Sequence, residues 1–147
     1  MTRLLNIYFF GSIFGAESNR PLVKELLGHV KTKGHVLSEH LFDDDYRTKE
    51  TLDAKGIRIR DLTWIRQSDV LVGDVTAPSL GVGYELRDAE ILAKPILALY
   101  NTAREGKLSA MIEGAAPGIT VVRYSDLIGA KNHIDEFFEY LKLTGFR

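Results

Sequence analysis

The sequence predicts an α/β fold, with five short strands in an all-parallel sheet between two layers of helices. Two patterns carry this prediction. Residues 4–10, 69–75, 96–100 and 119–123 are apolar runs of strand length rich in branched and aromatic side chains, as strands buried on both faces are. Between them lie segments whose apolar residues recur at helical spacing, and strands alternating with helices imply parallel pairing through right-handed crossovers.

The first strand, residues 4–10, ends at Gly11-Ser12. Leu22, Leu26, Leu27 and Val30 give the first helix from Pro21, with Asn19 as candidate cap and Gly34 as the stop. Residues 35–38 read as a short second strand, followed by a polar loop through Asp43-Asp44-Asp45 to about residue 54. Ile57, Asp61, Leu62, Trp64 and Ile65 fall in a helix whose apolar side carries an acid, Asp61. After the third strand, residues 76–83 read as a loop, and residues 84–93 as a helix ending before Pro95. The fourth strand is 96–100, residues 108–112 form a short helix, the fifth strand is 119–123, and residues 134–143 form the closing helix. The simplest topology is the flavodoxin- or Rossmann-like three-layer sandwich with strand order 2-1-3-4-5, whose ligands bind beyond the carboxyl ends of the strands.

At 147 residues, 45% hydrophobic and 27% charged, the chain reads as one soluble globular domain over residues 1–147. Its net charge of -1 offers no broad positive field for a phosphate backbone, so a nucleic-acid polymer is not the expected ligand. A small nucleotide remains compatible, because a few N–H groups and hydroxyls can hold one phosphate. With no cysteine, thiolate metal sites, disulfides and cysteine catalysis are excluded. No apolar run reaches the roughly 20 residues that span a bilayer, and the expected location is cytoplasmic.

Gly81-Val-Gly83 lacks the third glycine of a dinucleotide fingerprint. Backbone N–H groups near a helix start nevertheless favour an anion there, and Glu85 follows in what reads as the first turn. Glu85 alone reads as a solvated acid complementing the helix dipole, and Asp61 alone as a partner of Arg58 or Arg60. Brought together at one sheet edge, they match the carboxylate pair of glycosidic cleavage, in which one attacks the anomeric carbon and the other assists the leaving group. Tyr8 reads as core, with a hydroxyl able to orient a carboxylate. His40 alone reads as a surface residue, and the Asp43–Asp45 run lacks the spacing of a calcium loop. Neither a Gly-x-Ser-x-Gly elbow nor a His-Glu-x-x-His zinc motif is present.

Ile7-Tyr-Phe-Phe-Gly-Ser-Ile13, Leu37-Ser-Glu-His40, Asp61-Leu-Thr-Trp64, Pro78-Ser-Leu-Gly-Val-Gly-Tyr-Glu-Leu86 and Leu108-Ser-Ala-Met-Ile-Glu-Gly-Ala-Ala116 resemble, in order, the 2'-deoxynucleoside 5'-phosphate N-hydrolases, relatives of the nucleoside 2-deoxyribosyltransferases. The resemblance implies that Glu85 attacks C1' of the deoxyribose to form a covalent intermediate, that Tyr8 orients it, and that Asp61 assists departure of the base. It further implies a substrate site at Gly11, Ser12, Ile13, Phe14, His40, Ser79, Gly81, Ser109 and Met111, with Ser109 supplied by the partner of a homodimer. No cofactor or metal is implied. The chain departs from the resemblance at Phe14, where the hydrolases commonly have Arg. A phenyl ring cannot pair with phosphate in bidentate fashion, although the retained serines still favour a nucleotide over a free nucleoside. The alternatives are a transferase exchanging bases on deoxyribose and a nucleotide-binding domain without turnover.

Overall fold

The computed structural model describes residues 3–13 and 19–146. Five strands, β1 (Leu5–Phe10), β2 (Gly34–Val36), β3 (Val70–Asp74), β4 (Ile96–Asn101) and β5 (Thr120–Tyr124), form one sheet in the order β2-β1-β3-β4-β5. Every pairing is parallel, as expected from the alternation of strands and helices. The helices are α1 (Arg20–Val30), α2 (Tyr46–Lys49), α3 (Ala54–Gln67), α4 (Leu80–Ile91), α5 (Ala110–Glu113) and α6 (Leu127–Leu143), with a 3-10 turn at Glu39–Phe42.

Successive strand side chains point to opposite faces, and this divides the core into two halves. Ile7, Phe9, Val70, Val72, Leu97 and Leu99 pack on α1 and α6 through Leu26, Val30, Ile134 and Phe138. Tyr8, Phe10, Leu71, Ile96 and Ala98 pack on α3 and α4 through Leu62, Ile65, Val82, Leu86 and Ala89. Each fully buried aliphatic side chain contributes about 1.5–3 kcal/mol, so the helices are held mainly by these stripes.

Several boundaries differ from the sequence expectations, each for a local reason. Asn19 does not cap α1 with its side chain; its amide turns to Asp74, donating from Nδ2 to Oδ1 at 3.5 Å. The helix closes at Val30, ahead of Gly34, because Gly34 begins β2 where a Cβ would come 2.4 Å from the Leu5 carbonyl oxygen. β2 stops at Val36. Beyond it Ser38, fully buried, continues the pairing with its side chain: Oγ accepts from Phe9 N (2.9 Å) and donates to Phe9 O (2.7 Å). The expected loop from 43 to 54 contains α2, and α3 starts at Ala54 behind an Asp53 cap that accepts from Gly56 N. The closing helix begins seven residues earlier than expected, at Leu127, where Asp126 accepts from Gly129 N.

The largest difference concerns α4, which starts at Leu80 rather than Tyr84. Ser79 caps it, accepting from Val82 N at 3.2 Å. Two glycines in a helix cost about 1 kcal/mol each; the cap and the burial of Val82, Leu86 and Ala89 outweigh that.

β1 and β3 approach closely at Gly73, where a Cβ would lie 1.9 Å from the Phe10 carbonyl oxygen. Gly73→Ala should therefore destabilise the protein by about 2–3 kcal/mol or more, read as a lower urea midpoint at unchanged m-value.

Candidate active site

The alternation along β1 aims Tyr8 at α3 and α4, the helices that carry Asp61 and Glu85. On α4 the buried stripe runs Val82, Leu86, Ala89, and Glu85 occupies the intermediate i+3 position of the same face. On α3 Asp61 adjoins Leu62 and lies one turn before Ile65, both buried. Each acid is thus built onto the edge of an apolar stripe. Glu85 lies in the second turn of α4, and no acid occupies the first, so the dipole-complementing account does not apply to it.

The three side chains form one electrostatic cluster. The Tyr8 hydroxyl hydrogen-bonds the Glu85 carboxylate, and the Asp61 charge is felt by both. Burial is the main reason that Glu85 is pushed up from the usual carboxylate range to about 7. The Tyr8 hydrogen bond pulls it down, and Asp61 pushes it further up. Tyr8, only 1% exposed, is raised well above the ordinary phenol value by burial, then by Glu85 and Asp61. It therefore stays a hydroxyl donor throughout the physiological range. Asp61 is also raised by burial, opposed by the Arg60 guanidinium, whose Nε donates to Oδ1 at 3.0 Å. The pairing with Arg60 expected for an isolated Asp61 is therefore present together with its place in the cluster.

The other sequence-predicted positions surround this cluster unevenly. Gly11 follows β1; a Cβ there would meet the Phe42 ring at 3.3 Å. Ser12 is half-buried beside it, whereas Ile13 packs toward the α1 and α6 side, away from Tyr8. Phe14 lies outside the described residues. His40 is exposed and sets its ring edge-on to Trp64, with centroids 5.1 Å apart. Ser79 and Gly81 form the start of α4, where the first N–H groups have no intrahelical partner. A Cβ at Gly83 would meet nothing within 4 Å, so this side of the first turn of α4 is unpacked. Leu108 and Ile112 anchor the α5 segment to the core, leaving Ser109 and Met111 exposed. Among the described residues, no three His, Asp or Glu converge as a metal site, and no helix is long and apolar enough to cross a membrane.

Two groups at this edge escaped the sequence reading. Asp74, at the end of β3 and 3% exposed, accepts from Tyr124 Oη (2.7 Å), Thr76 N (2.9 Å), Thr76 Oγ1 (3.1 Å) and Asn19 Nδ2. Thr76 Oγ1 accepts in turn from Asn101 N at 2.9 Å. The carboxyl ends of β3, β4 and β5 and the start of α1 are thereby tied together. The available signal was an acid closing a wholly apolar strand. The second group is Arg60 with Glu50: Arg60 Nη1 donates to both Glu50 carboxylate oxygens, at 2.8 and 3.1 Å. The two lie ten positions apart, Glu50 before α3 and Arg60 within it, and no periodicity announces the pair.

A parallel sheet of this order, with buried carboxylates at its carboxyl edge, defines a small-molecule site of the α/β class. A family model described as Nucleoside 2-deoxyribosyltransferase matches residues 7–135, and the chain belongs to that family. Among curated proteins it is 45% identical over 116 residues to the 5-hydroxymethyl-dUMP N-hydrolase of Mus musculus, covering 77% of this chain and 67% of that one. It is 40% identical over 141 residues to the Danio rerio protein of the same name, covering 93% and 98%. Among solved structures, the solution structure of BlsM has the same fold, with a TM-score of 0.75, 21% identity, and coverage of 97% of this chain and 94% of that one.

The raised proton affinity of Glu85 has a consequence for stability. Between about pH 4.5 and pH 7 the folded state keeps a proton that the unfolded chain releases, so stability falls as pH rises through this window. Glu85→Gln should be more stable than the parent at pH 8, by about 2–3 kcal/mol, and nearly equal to it at pH 4. Thermal melts at the two pH values will check this.

Proposed function

We propose that the protein is an N-glycosidase that hydrolyses the base–deoxyribose bond of 2'-deoxynucleoside 5'-monophosphates, with Glu85 as nucleophile. The observation that carries this reading is the buried Glu85 carboxylate held by the Tyr8 hydroxyl beside Asp61. The names of the mouse and zebrafish relatives, N-hydrolases of a deoxyuridine monophosphate, support the substrate class.

In the first step a Glu85 oxygen attacks C1' of the sugar. The C1'–N bond breaks, its electron pair leaves with the base, and protonated Asp61 gives its proton to the base. The product is a glycosyl ester on Glu85. A water then attacks C1', its proton passing to the Asp61 carboxylate, and the C1'–O bond to Glu85 breaks, releasing the Glu85 carboxylate and deoxyribose 5-phosphate, so that one difficult displacement is divided into two. Tyr8 steers the attacking oxygen. Burial makes the carboxylate a stronger base than one in water, and the Tyr8 hydrogen bond keeps enough of it ionised near neutrality.

The 5'-phosphate has donors within the proposed site: the open N–H groups at the start of α4, together with Ser12 and Ser79. His40, which faces Trp64 on the helix that carries Asp61, is proposed to line the pocket. Ser109 and Met111 are proposed to serve the partner's site in a homodimer. Supporting this, Leu80 (96% exposed), Tyr84 (57%) and Ile91 (66%) line one face of α4, and Met111 is 85% exposed. Apolar exposure of this kind is what a second copy would cover.

Incubation with a panel of deoxynucleoside monophosphates should release free base and deoxyribose 5-phosphate, followed by chromatography. Glu85→Ala should lower kcat by about a thousandfold or more. Base exchange with an added acceptor, without net release of sugar phosphate, would replace hydrolysis with transfer. The kcat/KM of the parent should rise with pH to a plateau above about 7, as Glu85 loses its proton. For the dimer, mixing inactive Glu85→Gln with weakened Ser109→Ala should restore activity, because one site of each mixed dimer regains both native residues. No recovery after subunit exchange would place Ser109 in its own subunit's site or outside any site.

A further inference from the structure

Asp61 does not stand alone on α3. Its carboxylate receives Arg60 Nε at 3.0 Å, while Nη1 of the same guanidinium is spent on the two oxygens of Glu50. The three side chains are only 18% (Arg60), 14% (Asp61) and 12% (Glu50) exposed. Glu50 is itself fixed by Leu52 N, which donates to Oε1 at 3.1 Å, and by the Tyr46 hydroxyl. The guanidinium also rests on the Trp64 ring, 4.9 Å from its centroid. Arg60 is thus held on three sides, and its side chain is not free to follow solvent.

This arrangement is more than Asp61 would need for solubility on a helix surface. An exposed neighbour pair contributes little, at most about 1 kcal/mol, whereas burying this triad incurs desolvation that only close geometry offsets. Arg60 Nη2, moreover, is buried with no hydrogen-bond partner among the described residues, and a buried orphan donor costs about 1–3 kcal/mol. A residue kept for stability alone would not carry that penalty, and orphan donors of this kind call for a functional account.

We propose that Arg60, anchored by Glu50, is a positioning residue that holds the Asp61 carboxylate in place and sets how tightly it keeps a proton. The proposal rests on the assignment of Asp61 to departure of the base. Burial alone would drive Asp61 and Glu85 up together, leaving two acids with similar demands on one proton. Among the described residues a cation sits on Asp61 and none on Glu85: Arg60 pulls Asp61 down, with His40 adding to it and the Glu50 charge opposing it, while Glu85 receives the neutral Tyr8 hydroxyl. Two carboxylates in one site whose environments differ in this way can take different roles. Glu50 has the complementary task. Against the effect of burial, its bonds to Arg60, Leu52 N and Tyr46 hold it near 2, so it anchors the guanidinium as a permanent anion.

The experiment compares the parent with Arg60→Gln, Arg60→Lys and Glu50→Gln, each checked for folding by circular dichroism and thermal melting. Carbon-13 NMR follows the Asp61 side-chain carboxyl through pH, assigned by its loss in Asp61→Asn. In Arg60→Gln the Asp61 titration should move up, and Arg60→Lys, which keeps the charge without the fork, should return it most of the way. With deoxynucleoside monophosphate substrate, Arg60→Gln and Glu50→Gln should lower kcat about tenfold or more while KM changes less than about threefold. Should Arg60→Gln fail to fold, the kcat of Glu50→Gln decides. An Asp61 titration unmoved in folded Arg60→Gln overturns the proposal, as does a kcat of Arg60→Gln or Glu50→Gln within about twofold of an active parent. If the parent itself releases no base, the functional reading fails while the NMR titration still decides the clamp.

Discussion

The alternation of side chains along β1 is the constraint on which the rest of this molecule depends. Ile7 and Phe9 turn to α1 and α6, Tyr8 and Phe10 to α3 and α4. A slip of one residue in β1 would exchange the two sets, removing the hydroxyl from the helices that carry Asp61 and Glu85. Register is guarded from both sides. Gly73 admits β1 at a distance no side chain would allow, and Ser38 holds both backbone groups of Phe9 after β2 has ended. Packing energy over the whole sheet is therefore what aims a single phenol.

The site built on that register combines opposing requirements. The role proposed for Glu85 needs an ionised carboxylate, yet burial favours the neutral form; the Tyr8 hydrogen bond and the Asp61 charge adjust the balance around neutrality. Stability is given up locally for this, as it is where a guanidinium nitrogen is left without a partner beside Asp61. The surrounding polar network has the opposite character. Asp74 is fully supplied with donors and binds the ends of three strands to the start of α1, forming a rigid edge against which the less satisfied groups can be placed.

The two networks also differ in how they bear on function. The Asp74 cluster spans elements far apart in sequence and fixes where the loops leave the sheet. The Glu50–Arg60–Asp61 chain is compact and ends on an acid of the site. Arg60 beside Asp61 and the Tyr8 hydroxyl on Glu85 give the two acids unequal neighbours. That inequality, rather than the number of charges, is what allows a pair of carboxylates to divide the work of breaking and replacing one bond.

Much of this was legible in the sequence. Apolar runs and helical spacing determined five parallel strands and their order, since period two and period three to four are local properties of the chain. The ordered motifs determined the family and marked Tyr8, Asp61 and Glu85. Boundaries were less legible: the start of α4 was hidden because glycine signals a loop until a cap and a buried stripe outweigh it, and Gly34 reads as a helix stop when it answers a close strand approach. The sequence offered Arg58 or Arg60 as partner of Asp61; the choice of Arg60, its anchoring by Glu50, the union of the three candidate residues, the proton affinity of Glu85 and the Asp74 cluster were decided only by tertiary structure. These depend on distances and desolvation between segments far apart in the chain, and no local pattern encodes how deeply a carboxylate will be buried or which cation will face it.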